Sequence, residues 1–281
     1  MKLRKASALA AAVLALSLTA TACGSNDDDE GSGGGGSGDG DSLTIGIKFD
    51  QPGLGLKTPE GDYTGFDVDV ATYIAGKLGV SPENIEWVEA PSAERENLLK
   101  RGDVDFIVAS YSITDERKEQ VSFAGPYFMA HQDLLMRAGE GVSNPDEIND
   151  LTLCSVTGST SAQHVHDDFA PDAQLQEFGT YSECLTGLES GAVDALTTDD
   201  SILAGYAAQE QNQGKFELAG LELSDEPYGV GIPHGDTELQ EQINDAIREM
   251  EEDGSWQEAI ERNFGPANYE AEEAPEITET S

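Results

Sequence analysis

The chain has 281 residues, 55 of them acidic and 15 basic, for a formal net charge of -40. Such a charge makes nucleic acid and anionic membrane surfaces poor partners. The excess is not confined to the ends: residues 43–268 carry 44 acids against 12 cations, so each cation near a candidate site is informative.

The first 22 residues open with Lys2, Arg4 and Lys5 and continue as ALAAAVLALSLTATA, the proportions of an export signal peptide. A retained membrane span is the weaker reading, because the run falls short of the ~20 strongly apolar residues that a bilayer needs. Cys23 follows Ala20-Thr21-Ala22, which resembles the lipobox of bacterial lipoproteins, with alanine where leucine is usual. The resemblance implies a lipidated Cys23 that anchors the protein to the extracellular face of the cell membrane. The rest of the segment 23–42, GSNDDDEGSGGGGSGDGD and its flank, has nothing apolar to bury and reads as a flexible tether. At the other end, residues 269–281 (YEAEEAPEITETS) read as a flexible acidic tail.

Within the remainder, LTIGI (43–47) alternates like a strand, and FDVDVATYIAGKLG sets Phe66, Val70, Ile74 and Leu78 at helical spacing. NIEWVEA is a strand, PSAERENLLKRG a helix closed by Gly102, and VDFIVAS a buried strand, giving βαβαβ. The pattern repeats with LTLCSV, STSAQHVHDDF, QLQEF, TYSECLTGLESG and VDALTTD, and RGDVDFIVAS is echoed by SGAVDALTTD. Two like lobes follow. After GVGIP (229–233), the amphipathic TELQEQINDAIREMEEDG and the short SWQEAIERNFG are expected to return to the first lobe. Lobe one is then 43–131 plus 231–268 and lobe two 135–227. The two crossings, near 130–137 and 226–232, form a hinge. In an exported protein Cys154 and Cys184 read as a disulfide rather than free thiols, and close-spaced metal-ligand pairs are absent.

Ligands of open α/β sheets bind beyond the carboxyl ends of the strands. Those ends carry Lys48, Ser110 to Ser112, Gly158-Ser159-Thr160 and Asp199, a set that complements a zwitterion. Arg117 stands in what reads as the first turn of a helix, where the dipole disfavours a cation. Its planar fork suits a carboxylate, although it also has Asp115 and Glu119 as partners on a solvated face. The Gly158 to Thr160 turn would hold the same anion through free N–H groups, and Asp199 an ammonium. No catalytic residue, metal or cofactor is indicated. TGSTS lacks the lysine of a phosphate loop, and His164 and His166 point to different sides of a helix.

SYSITDERKEQVSFAGPYF, GFDVDVA, LTLCSVTGSTSAQ, SGAVDALTTDD and YGVGIPHGDTELQ resemble, in order over 43–265, the family 3 bacterial extracellular solute-binding proteins, the polar amino acid receptors of ABC importers. The resemblance implies a two-lobed α/β fold of the type II periplasmic-binding-protein-like kind. It also implies a monomer that needs no cofactor and delivers an amino acid to a membrane permease. By the same resemblance Arg117 grips the α-carboxylate with help from Ser110 and Ser112. Thr160 and its turn supply the second lobe's carboxylate contact, and Asp199 takes the α-amino group. Lys48 and Arg95 match cation positions of relatives specific for acidic amino acids. This implies glutamate, with aspartate weaker and glutamine the alternative. Arg95 also has Glu94 and Glu96 as surface partners, and Phe49 and Tyr111 are candidate pocket walls. The competing class is a dehydratase on the same fold, for which Asp199 is the one candidate acid.

Overall fold

The computed structural model of the protein describes residues 42–280; the signal peptide, Cys23 and almost all of the tether lie outside the described residues. The first half runs β1 (Leu43–Ile47), β2 (Asp50–Gln51), β3 (Gly55–Lys57), β4 (Tyr63–Thr64), α1 (Phe66–Lys77) and β5 (Ile85–Glu89). It continues with α2 (Arg95–Arg101), β6 (Phe106–Ile107), the one-turn α3 (Asp115–Lys118) and the long β7 (Ser122–Arg137). The second half contains β8 (Thr152–Val156), α4 (Thr160–His164), β9 (Gln174–Phe178), α5 (Tyr181–Ser190), β10 (Ala195–Asp199), α6 (Asp200–Ala208) and β11 (Phe216–Leu218). The chain returns through β12 (Asp225–Ile232), α7 (Thr237–Glu252) and α8 (Ser255–Phe264).

The main sheet is ordered β5-β1-β6-β12-β7-β10-β8-β9, with β11 also on β7, while β2, β3 and β4 form a small antiparallel sheet of their own. β1 pairs in parallel with β5 and β6, and β8 does so with β9 and β10. β7 joins the two groups. Its N-terminal part lies antiparallel to β12, and from Gln132 onward it lies antiparallel to β10. The fold is therefore the two-lobed α/β type expected from the sequence, with β7 and β12 as its two hinge crossings. The echo between the lobes has a physical basis in paired aspartates. Asp105 accepts the Thr44 N–H at 2.7 Å and Asp194 accepts the Thr152 N–H at 2.8 Å, so each ties a short strand to its neighbour.

Local signals place the helices. Gly102 ends α2 and Gly191 ends α5, both in the left-handed region, at φ 69° and 75°. Thr180 and Glu183 form a reciprocal capping box at the start of α5. A disulfide joins Cys154 in β8 to Cys184 in that helix. α8 lies on the first half, where the Trp256 ring meets Phe66 edge-on and its Nε1 donates to the Tyr127 carbonyl at 2.9 Å. No helix among the described residues is long and apolar enough to cross a membrane.

Three expectations need correction. Only Phe106 and Ile107 of VDFIVAS are strand, because the chain turns at Ser110, φ 42°, to point its N–H at Asp67. The helix over STSAQHVHDDF stays α-helical only to His164 and widens to a π turn over Val165–Phe169. The C-terminal segment is docked rather than free. Tyr269 donates to Asp200 at 3.0 Å, Glu272 meets His131 at 3.0 Å, and the Glu279 N–H donates to the Gly125 carbonyl at 3.0 Å. The acidic composition of the tail conceals Tyr269, Ala271, Ala274 and Ile277, which pack against the core.

Candidate functional site

A small, partly enclosed cavity of about 10 Å³, room for about one water, lies where the halves meet, lined by Ser92, Arg95, Ser110 and Ser112 from the first half and Ser159, Thr160 and Asp199 from the second. The strand ends deliver these groups as the sheet topology requires: Ser110 follows β6, the Ser159 turn follows β8, and Asp199 ends β10.

Arg95 opens α2 and is only 2% exposed. Its Nη1 donates to the carbonyls of Ala109 (3.1 Å) and Ser110 (3.3 Å), and its guanidinium lies 4.0 Å over the Tyr111 ring. It pairs with neither Glu94 nor Glu96. Glu96 instead accepts from the Tyr111 hydroxyl at 2.6 Å and lies 3.6 Å from Arg117 Nε. Arg95 Nε is buried without a partner. Lys48, just beyond β1, donates Nζ to Ser92 Oγ at 2.7 Å and stands behind that serine, off the cavity wall. Burial first, and then the Arg95 charge, push the Lys48 ammonium down to about 7.

Arg117 is buried, not on a solvated face, and pairs with neither Asp115 nor Glu119. Its Nη1 donates to the Ser112 carbonyl (2.7 Å) and its Nη2 crosses to the Gly158 carbonyl (3.2 Å). It borders the outer cleft, next to the cavity, with Glu116 and Gln163. Tyr111 does not wall the cavity as expected. It lies in the first lobe's smaller core beneath both guanidinium groups. Phe49 packs on Tyr63, under Lys57, and is not a wall either.

The second half supplies hydroxyls and acids. Ser159 caps α4, its Oγ accepting the Ala162 N–H at 3.0 Å. Thr160 Oγ1 donates to Glu226 at 2.9 Å and lies 3.4 Å from Ser112 Oγ across the cleft. Asp199 accepts from the Tyr228 hydroxyl and, at 3.4 Å, from Ser161 Oγ. Burial, followed by the nearby Glu226 charge, pushes its carboxyl up to about 8. The lobes are closed on each other. The Ser182 N–H donates to Asp50 at 3.3 Å, and the Tyr206 hydroxyl donates to the Asp50 carbonyl at 2.5 Å. Gly158, φ 79°, sits so close to Ala93 that a Cβ would stand 2.8 Å from its Cα.

Sequence reasoning missed Gln51, Ser92, Tyr181 and Ile202 of the lining, and Glu226 and Tyr228 behind it. Glu226 and Tyr228 have one available signal, an acid and an aromatic beside the GVGIP strand in DEPYGVGI. The described residues contain no cluster of side chains able to hold a metal. His164 Nδ1 lies 3.1 Å from Gln132 Oε1 instead.

The family model for bacterial extracellular solute-binding proteins, family 3, matches residues 43–266. The chain belongs to this family. Like the other family 3 proteins it resembles, it is a binding protein for transport rather than an enzyme. Glutamate-binding protein GluB of Corynebacterium efficiens is 46% identical over 80% of this chain and 79% of its own length. The ABC transporter glutamine-binding protein GlnH of Bacillus subtilis is 37% identical over 78% of this chain and 80% of its own. Among solved structures, an ancestral arginine-binding protein bound to glutamine superposes with TM-score 0.73 at 34% identity, over 80% of this chain and 98% of that one.

Proposed function

We propose that this receptor captures L-glutamate, and L-aspartate more weakly, and passes it to the permease of an ABC importer. In this reading it is a monomer held on the extracellular face of the cell membrane by lipidated Cys23. The observation that carries the ligand reading is the pair of buried donors without partners beside the cavity, Arg95 Nε and Gln51 Nε2. Unpaired buried donors are costly, and an anionic side chain would satisfy both. Arg95, backed by Lys48 through Ser92, would take the side-chain carboxylate. Arg117, Ser110, Ser112 and the Gly158-Ser159-Thr160 turn would hold the α-carboxylate, and Asp199 the α-ammonium. The GluB relatives, at 46% and 44% identity, support the same ligand.

Closure follows from bridging. A ligand that bonds both lobes binds the closed state better than the open one, and that difference in affinity drives the hinge. Titration calorimetry against the twenty amino acids tests the reading. L-glutamate is expected to bind best, and preferential binding of L-glutamine or a basic amino acid would overturn it.

A further inference from the structure

Glu226, on the hinge strand β12, is 1% exposed, and among the described residues no lysine or arginine pairs with it. Thr160 Oγ1 donates to its Oε2 at 2.9 Å and Ser224 Oγ to its Oε1 at 2.8 Å, while His164 Nδ1 lies 3.4 Å from Oε1. Arg117 feels its charge without forming an ion pair with it. The next residue along the same turn, Ser161, bonds the other buried acid, Asp199. Two consecutive hydroxyls thus connect two buried carboxylates beside one cavity. Asp199 is faced further by Tyr228 from β12 and by Asp200 from α6, and neither is a cation. Buried carboxylates are tolerated where something neutralises them, and among the described residues only His164 comes within ion-pair distance of Glu226, with Arg117 acting on it from farther off.

A hydroxyl has one proton to give. Thr160 spends it on Glu226, so what its oxygen offers the cavity is lone pairs, which accept from an N–H and repel a carboxylate. We propose that Glu226 is a positioning residue of the ammonium subsite: it turns Thr160 Oγ1 into an acceptor and, with Asp199, sets two carboxylates against the α-ammonium, selecting amino acids over their des-amino analogues. The α-carboxylate contact of this turn then falls to its backbone N–H groups other than that of Ser159, which donates to the Val156 carbonyl at 3.0 Å. The raised Asp199 carboxyl, about 8 with Glu226 among its causes, is what two acids waiting for one cation would produce.

The inference rests on the amino acid reading of the site, and the test separates the two. The full chain and its Glu226→Gln variant are titrated with L-glutamate and with glutarate, which lacks only the amino group. The amide keeps an oxygen for Thr160, removes the charge, and turns the oxygen that accepts from Ser224 into an NH2 that can donate to that hydroxyl instead. Wild type is expected to prefer L-glutamate strongly. Glu226→Gln is expected to shrink that preference by about tenfold or more, the scale of one lost close charge pair, with glutarate unchanged or tighter and Glu226→Asp partly restoring it. An unchanged preference, or equal losses for both compounds, overturns the inference. Should Glu226→Gln not fold, Thr160→Val removes the acceptor instead and is expected to weaken L-glutamate selectively; equal weakening of glutarate overturns the idea. A wild type that binds L-glutamine and refuses L-glutamate overturns only the side-chain reading, and the comparison is then made between L-glutamine and glutaramate.

Discussion

Gly205 lies within α6, and a methyl group on its Cα would stand 2.0 Å from the carbonyl oxygen of Pro52, in the β2–β3 turn of the opposite lobe. An ordinary carbon-to-oxygen approach is about 3.3 Å or more, so Gly205→Ala requires the lobes to part there by over ~1 Å. The helix itself gains, since alanine is favoured over glycine in a helix by about 1 kcal/mol. Folding and closure are therefore pushed in opposite directions. Parting the lobes withdraws Tyr206 from the Asp50 carbonyl and Gly158 from Arg117, and with them the second lobe's contacts to the ligand. Losing two charge-assisted bonds at roughly 1.5–3 kcal/mol each removes about 3–6 kcal/mol, or roughly two to four orders of magnitude in affinity. Calorimetry with L-glutamate should show that loss, while the ligand-free protein melts at the wild-type temperature or above. An unaltered affinity with a melting point several degrees lower would refute the reasoning, because the Pro52 contact would then belong to the fold in every state.

Arg117→Ala should abolish binding of all amino acids. Arg95→Ala should weaken L-glutamate by about 1.5–3 kcal/mol and L-glutamine much less; equal losses by calorimetry would show that Arg95 does not read the side chain. Replacing Cys154 and Cys184 by serine opens a link between residues 30 apart in sequence, which in the chain-entropy model costs about 3.6 kcal/mol. Urea unfolding of the double variant measures that cost, and a midpoint equal to wild type would contradict it.

Charge scarcity made much of the site legible. In so acidic a chain Arg117 stands out as a cation in a first helical turn, Lys48, Asp199 and Ser110 by their position after strands, and Arg95 only through the family resemblance. What escaped depended on long-range partners. The strand β7 contains Gly125-Pro126 and the polar pair Gln132-Asp133, which read locally as loop. Inside the fold Gln132 Nε2 is bonded to Thr197 and the Ser161 carbonyl, and Asp133 accepts the N–H groups of Gly220 and Leu221. Beyond its place beside the GVGIP strand Glu226 is opaque too, since its partners Thr160 and His164 lie over 60 residues away in sequence. Tyr111 was legible as important and misassigned in role, because an aromatic beside a serine pair gives no sign of whether it faces a ligand or supports two arginines from beneath.

Two titrating groups at the cleft, Asp199 on its wall and Lys48 behind Ser92, pull against each other with pH. In the closed state Asp199 is raised from 3.8 to about 8 and Lys48 is lowered from 10.5 to about 7. The expectation is that opening lets water reach both and returns them toward their ordinary values. Closing without ligand therefore takes up a proton at Asp199 between pH 4 and 8, so its contribution favours closure as pH falls through 8. At Lys48 closing releases a proton between pH 7 and 10.5, so its contribution favours closure as pH rises above 7. Between 7 and 8 the two oppose each other and the empty cleft is at its most reluctant to shut, with a change of up to about 1.4 kcal/mol per pH unit on either side. Small-angle scattering of the ligand-free protein should show its largest radius of gyration near pH 7 to 8 and compaction toward both pH 5 and pH 9.5. A radius that is constant, or smallest at neutral pH, would mean that these groups keep their charges on closing. In the proposed reading a zwitterion with an added carboxylate would remove both penalties at once, its ammonium holding Asp199 ionised and its carboxylates, across Ser92, holding Lys48 protonated, so the ligand would shut the cleft at the pH where protons are least able to.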